Sequence, residues 1–105
     1  MLLKSFNWNQ EVMFSAEPVL VDFWAPWCGP CRAMHPTLES LAKDFKVAQV
    51  NVDKNPQLAS AYNVSSIPAI MIFKGGKVVA SHLGVTPEAT LRVELEKFSD
   101  SPARS

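Results

Sequence analysis

Apolar residues fall along this chain in two patterns. Continuous runs rich in β-branched residues occur at 18–24 (PVLVDFW), 46–52 (KVAQVNV) and 69–73 (AIMIF), as in strands covered on both faces. Elsewhere the spacing is helical. Met34, Leu38, Leu41 and Phe45 recur at intervals of four, three and four, which draws one stripe along a helix. Leu91, Leu95 and Phe98 form the inner stripe of a last helix that opens with Thr86 as cap and Pro87 as its first residue.

Shorter elements fill the gaps. NWNQEVMFSA (7–16) predicts a helix capped by Asn7 or Asn9, with Trp8 four residues before Val12. LLKSF is a weak first strand, and PQLASAY a short helix. Pro36 lies inside the longest helical stripe, where it removes one hydrogen bond and should kink the helix without ending it. KGGK joins AIMIF to VVASHL as a hairpin, because Gly75 and Gly76 supply the positive φ of a tight turn. The order is β-α-β-α-β-α-β-β-α. It predicts an α/β sheet whose early strands are parallel and whose hairpin adds antiparallel strands at one edge.

Composition narrows the function. A chain of 105 residues, 48% of them apolar, suits one domain, expected over 1–99 with 100–105 as a disordered polar tail. Ten basic residues balance ten acidic ones, so nothing in the charge points to nucleic acid or an anionic membrane. No run approaches the ~20 apolar residues of a membrane span, and polar residues come too early for a secretory signal. A cytoplasmic, reducing setting is expected, or an organelle if the chain is cut from a precursor. Monomer is the default state. A cysteine pair in a reducing setting is more often catalytic or metal-binding than a permanent crosslink.

That pair is Cys28 and Cys31, in WCGPC. Residues three apart on a helix sit ~4.5 Å along its axis and ~60° around it, so their Cα atoms lie roughly 5 Å apart, inside the window for a disulfide. Bond and dithiol can then interconvert with little backbone movement. Gly29 permits close approach, and Pro30 fits a first helical turn. Cys28 is expected at the exposed helix entrance, where the macrodipole favours a thiolate by ~0.3–1 kcal/mol. It is therefore the expected nucleophile, with Cys31 shielded and placed to resolve a mixed disulfide. A zinc clip would need four ligands, with only His35 and His82 to assist. Covalent haem would need histidine where Arg32 stands, and a static bridge closing so short a loop removes little unfolded-state entropy. Reversible redox chemistry fits the pair better, and no cofactor is expected.

Two further residues stand out. Asp22 interrupts an apolar strand six residues before Cys28. Turned to water it would be an ordinary strand-end carboxylate; buried, its pKa rises and it can take the proton of Cys31, directly or through a water. Pro68 heads a strand whose apolar run marks it as central, where either a trans strand-end proline or a cis Ile67–Pro68 bond would serve.

Together these features resemble the thioredoxin family. VDFWAPWCGPC is similar to its active-site segment, NVDKNPQLASAYNVSSIPAIMIFKGGK to its third strand, third helix and cis-proline hairpin, and Gly84 to its late glycine. The resemblance runs from about Trp8 to Phe98. It implies a thioredoxin fold, a central mixed five-stranded sheet flanked by four helices. It implies reduction of protein disulfides through a mixed disulfide at Cys28, with electrons from a thioredoxin reductase. Asp22 would be the buried relay and Pro68 would be cis. An apolar groove from Trp27, Gly29, Pro30, Ile67, Pro68, Gly84 and Val85 would hold the substrate chain as an added strand.

Three positions depart from the family pattern. Gln49 stands where a lysine is common beside the aspartate, which should raise the Asp22 pKa further, and Ser66 and Ala69 flank the Ile-Pro step where glycine and threonine are common. Other readings are a dedicated reductant or oxidase of few partners, and a non-catalytic interaction subunit.

Overall fold

The alternation of side chains along β2 (Val19–Trp24) organises the molecule. In a computed structural model, which describes residues 1–99, β2 lies at the centre of a five-stranded sheet of order β1-β3-β2-β4-β5. Its partners are β3 (Lys46–Asn51), parallel, and β4 (Ala69–Lys74), antiparallel. Outside these lie β1 (Leu2–Leu3), parallel to β3, and β5 (Lys77–Leu83), antiparallel to β4. The expected mixed sheet is thus present. Residues 100–105, expected as a polar tail, lie outside the described residues.

Each face of the sheet has its own core. Leu20, Val47, Ile70 and Ile72 pack with Met34, with Leu38 and Leu41 of α2 (His35–Leu41), and with Leu91 and Leu95 of α4 (Glu88–Phe98). Val19, Val21, Phe23, Val50 and Phe73 face the other way, towards Val12 in the helical turn Asn9–Met13 and Leu58 in α3 (Pro56–Ala61). Trp8 and Tyr62 close that side edge-on to Phe73, with ring centroids 5.3 and 5.1 Å away. Two covered faces are the reason β2 reads as a continuous apolar run.

Local chemistry corrects several expectations. Pro36 separates two helical segments rather than bending one: α1 (Gly29–Ala33) ends before Met34, and α2 starts after it. Without an N–H at Pro36 the ladder fails there, and the Met34 N–H takes the tighter bond to Cys31 O at 3.2 Å. The last helix begins at Glu88, one residue later than expected, because Pro87 is extended (ψ 145°). Thr86 does not cap; its hydroxyl donates to Gly84 O at 3.0 Å, and its N–H meets Met34 Sδ at 3.4 Å.

Trp8, not Asn7 or Asn9, holds the cap position of the first helical turn, and just before it Asn7 Oδ1 accepts from the Gln10 N–H at 2.9 Å. Elsewhere the local signals hold. Gly75 and Gly76 have φ of 61° and 79° and form the hairpin turn; a Cβ on Gly76 would meet Met13 O at 3.2 Å. Between α2 and α4, Glu88 accepts from Ser40 at 2.8 Å, while Arg92 reaches both Glu88 and Asp44. Among the described residues, no helix is long and apolar enough to cross a membrane.

Leu95 is fully buried between α4 and the sheet, whereas Val93 on the same helix is 65% exposed. Leu95→Ala is expected to lower unfolding stability by about 2–5 kcal/mol, and Val93→Ala by under about 0.5 kcal/mol. Urea denaturation of both variants checks this; equal losses would contradict the packing of α4.

Candidate active site

Strand β2 delivers the chain to a short loop that ends at Cys28, which has extended backbone (φ −92°, ψ 110°) and opens α1. Its Sγ accepts from the Cys31 N–H at 3.2 Å, so sulfur does the work that a serine or aspartate oxygen commonly does at a helix start. Pro30 in the first turn gives up a donor that would have no helical partner. Cys28 and Cys31 are joined as a disulfide with Cα atoms 5.2 Å apart, in agreement with the helical spacing.

One expectation about the pair needs correcting. Cys28 is not exposed in this disulfide form, at 5% against 3% for Cys31. What distinguishes the two sulfurs is their surroundings. Cys28 receives the Cys31 amide and lies 3.8 Å from Ile67 O. Because α1 has only five residues, that single N–H counts for more than a summed helix dipole.

Around the pair the surface is apolar. Trp27 is 68% exposed, and its Nε1–H donates to Asp53 Oδ2 at 2.9 Å. Ile67 packs against the two cysteines, and the Ile67–Pro68 peptide is cis. Pro68 O accepts from Gly84 N–H at 2.8 Å, which draws the end of β5 towards the same place. Gly84 has φ 83°, with open space where a Cβ would stand, so glycine is required there by backbone conformation and not by crowding. Val85 beyond it is exposed. Gly29 and Pro30 complete the set at the α1 entrance. Contact or chain continuity thus joins all seven residues expected in the groove.

Asp22 follows from the pleat of β2. It shares a face with Leu20 and Trp24, two residues to either side, and its register partners are Gln49 on β3 and Ile70 on β4. It is completely buried, and among the described residues no donor completes a hydrogen bond to either oxygen. Desolvation raises its pKa to about 7. The Gln49 side chain limits that rise without being placed to satisfy the carboxylate.

A thioredoxin family model matches residues 1–97. The chain belongs to the thioredoxin family. It is 52% identical over 95 residues to thioredoxin 1 of Nostoc, covering 87% of this chain and 89% of that one. It is 45% identical to chloroplastic thioredoxin M4 of Arabidopsis thaliana, covering 91% of this chain and 52% of the relative. Its fold superposes on a mutant thioredoxin from Halobacterium salinarum with TM-score 0.85 and 34% identity, covering 95% and 92% of the two chains. As a thioredoxin-family protein with a disulfide-forming Cys28/Cys31 pair, it is a thiol–disulfide oxidoreductase that reduces protein disulfides.

Sequence reasoning missed several residues of this family site. Asp53 holds the Trp27 ring, and Leu83, 70% exposed, extends the apolar surface beside Gly84. On the opposite side of the pair, Lys4, Trp24, Cys31, Arg32, His35 and Gln49 line a cleft of about 430 Å³. Leu83 was readable as the outward position at the end of a strand; the cleft was not, because it joins segments distant in sequence.

The buried carboxylate sets a pH dependence of stability. An unfolded aspartate ionises near 3.9, and the folded one near 7. The folded form therefore binds the proton more tightly, and stability falls as pH rises from about 4 to 7. Asp22→Ala should remove this loss. Its gain over the parent should be on the order of 4 kcal/mol larger at pH 8 than at pH 4, read by urea denaturation of the oxidised proteins. A difference independent of pH would show that Asp22 does not titrate in this range.

Proposed function

We infer that Cys28 attacks and Cys31 resolves. Cys28 thiolate adds to one sulfur of a substrate disulfide and expels the other as a thiolate, which takes a proton from solvent. Cys31 then gives its proton to the Asp22 carboxylate and attacks Cys28 Sγ, expelling the second substrate sulfur as a thiolate, which also takes a proton from solvent. The substrate gains two electrons and two protons, and the Cys28–Cys31 bond closes. A reductase of the thioredoxin-reductase type restores the dithiol.

The observation that carries this order is the Cys31 N–H to Cys28 Sγ hydrogen bond at 3.2 Å. An amide donor stabilises a thiolate more than a thiol, as hydrogen bonds to charged acceptors are the stronger ones. Cys31 has no such donor among the described residues. Asp22 supports the second half of the cycle, since a carboxyl titrating near neutral pH can both take and return a proton there.

Substrate binding falls to Trp27, Gly29, Pro30, Ile67, Pro68, Gly84 and Val85, with Leu83 added. Pro68 O is already engaged by Gly84 N–H, so Ile67 offers the backbone groups for an incoming extended chain. Backbone pairing tolerates many side chains, which suits a general reductant better than one dedicated to few partners. The domain spans 1–99 and acts as a monomer on protein partners, without nucleic acid or membrane. Both cysteines serve the redox pair and neither a structural crosslink, as in a reducing, cytoplasmic compartment.

Cys31→Ser tests the order of attack. Incubated with an oxidised protein such as insulin, it should accumulate a covalent complex through Cys28 that dithiothreitol releases; Cys28→Ser should accumulate far less. Capture at neither position would favour the non-catalytic interaction subunit.

A further inference from the structure

Asp22 is buried, while the substrate thiolates take their protons from solvent, so the proton that Cys31 leaves on Asp22 has to equilibrate with water. The cleft beside Cys31 offers a route. Its sheet wall is Trp24 and Gln49, the residues next to Asp22 on the same face: Trp24 two positions along β2, and Gln49 opposite it on β3. Lys4, one residue past the end of β1, lines the cleft together with Gln49, the register partner of Asp22. Cys31, Arg32 and His35 form the opposite wall. At about 430 Å³, the space admits on the order of ten waters.

Among the residues lining this cleft, His35 is the one imidazole. Arg32 Nη1 is bound to Pro26 O at 2.9 Å. Imidazole is the side chain that changes charge near pH 7. His35 is well reached by solvent, its side chain 39% exposed, and Glu39 engages its Nε2 at 3.2 Å from one turn further along α2. With the Nε2 proton held on that carboxylate, Nδ1 is the nitrogen that can accept. The other imidazole on this face is remote. His82 is separated from Asp22 by Ile70 and is tied through Nε2 to Glu94 on α4 at 2.7 Å.

We propose that His35 is a proton-relay residue, exchanging the proton of the Cys31–Asp22 couple with solvent through this cleft. The proposal rests on Asp22 being the base for Cys31. Asp22 itself does not line the cleft, so the step is a transfer of one proton from its carboxyl past Gln49 and Cys31, which do, to cleft water and His35 Nδ1, with the Nε2 proton or the same proton then leaving to buffer; no electrons move. Its benefit is kinetic. A carboxyl with no exposed oxygen gives up its proton to bulk water slowly. An imidazole at the mouth removes that limit.

Stopped-flow tryptophan fluorescence can follow oxidation of the reduced protein by a protein disulfide, in weak buffer at neutral pH, with and without added imidazole. His35→Gln should be slowed about tenfold in weak buffer, at the low end of what positioned acid–base groups contribute because water still competes as acceptor. Imidazole should restore it. His82→Gln should match the parent throughout. Asp22→Asn should be slow in both media and unresponsive to imidazole. If His35→Gln is as fast as the parent in weak buffer, or slow but not rescued, His35 is no relay, while a slow Asp22→Asn leaves the base intact. An Asp22→Asn variant as fast as the parent overturns the base assignment itself.

Discussion

A carboxyl group with no hydrogen-bond donor among the described residues, fixed in the central strand of the sheet, is the constraint around which this protein is arranged. Every other residue of β2 is apolar, the strand is covered on both sides, and Asp22 is fully buried. Burying an ionised carboxylate in such a place is costly. The fold tolerates it because protonation relieves most of the cost, and the same tolerance leaves an acid–base group poised near neutrality. Stability and activity thus draw on one residue in opposite senses, as is common at functional sites.

The cysteine pair depends on that sheet for position. β2 ends at Trp24, and Cys28 opens a helix only four residues later. The helix has to pass over the Asp22 face, since Met34, its continuation, packs on Leu20 two residues before Asp22. Pro36 then parts α1 from α2, so the five-residue redox helix is set by its own caps and its contacts with Ile67, independent of the longer core-packing stripe. Separation of the two segments lets the site be shaped by local hydrogen bonds, while Leu38 and Leu41 secure the core.

How much of this was legible in the sequence depended on range. Strands β2, β3 and β4, the stripes of Met34, Leu38, Leu41 and of Leu91, Leu95, and the Gly75–Gly76 turn were legible because each is decided by neighbours within a few residues. The spacing of Cys28 and Cys31 predicted their Cα separation for the same reason. The misread boundaries were decided by tertiary partners: Thr86 turns its hydroxyl to Gly84 and its amide to Met34 Sδ, contacts that no local rule for helix starts contains. The exposure of Cys28 was misjudged because Ile67, 39 residues away, covers it. The cleft was invisible for a stronger reason. Lys4 and Gln49, the register partner of Asp22, come together only when β1 and β2 both pair with β3, an arrangement set by a crossover and not by spacing.

The sheet order also explains why a nearby lysine does not hold the Asp22 carboxyl down. Adjacent strands are ~4.8 Å apart and β3 lies between β1 and β2, so Lys4, just past β1, is roughly 10 Å or more from Asp22. Lys4 is exposed, so its charge is spent largely on water; at ~10 Å in a water-like medium, two unit charges interact by only about 0.4 kcal/mol. Gln49 is buried and close but neutral, and its amide dipole offsets desolvation only in part. A cation at position 49 would act across a single strand spacing in a poorly screened environment, where Coulomb energies are several times larger. With no cation there, burial keeps the Asp22 carboxyl titrating near neutral pH, and the Gln49 amide offsets that rise only in part.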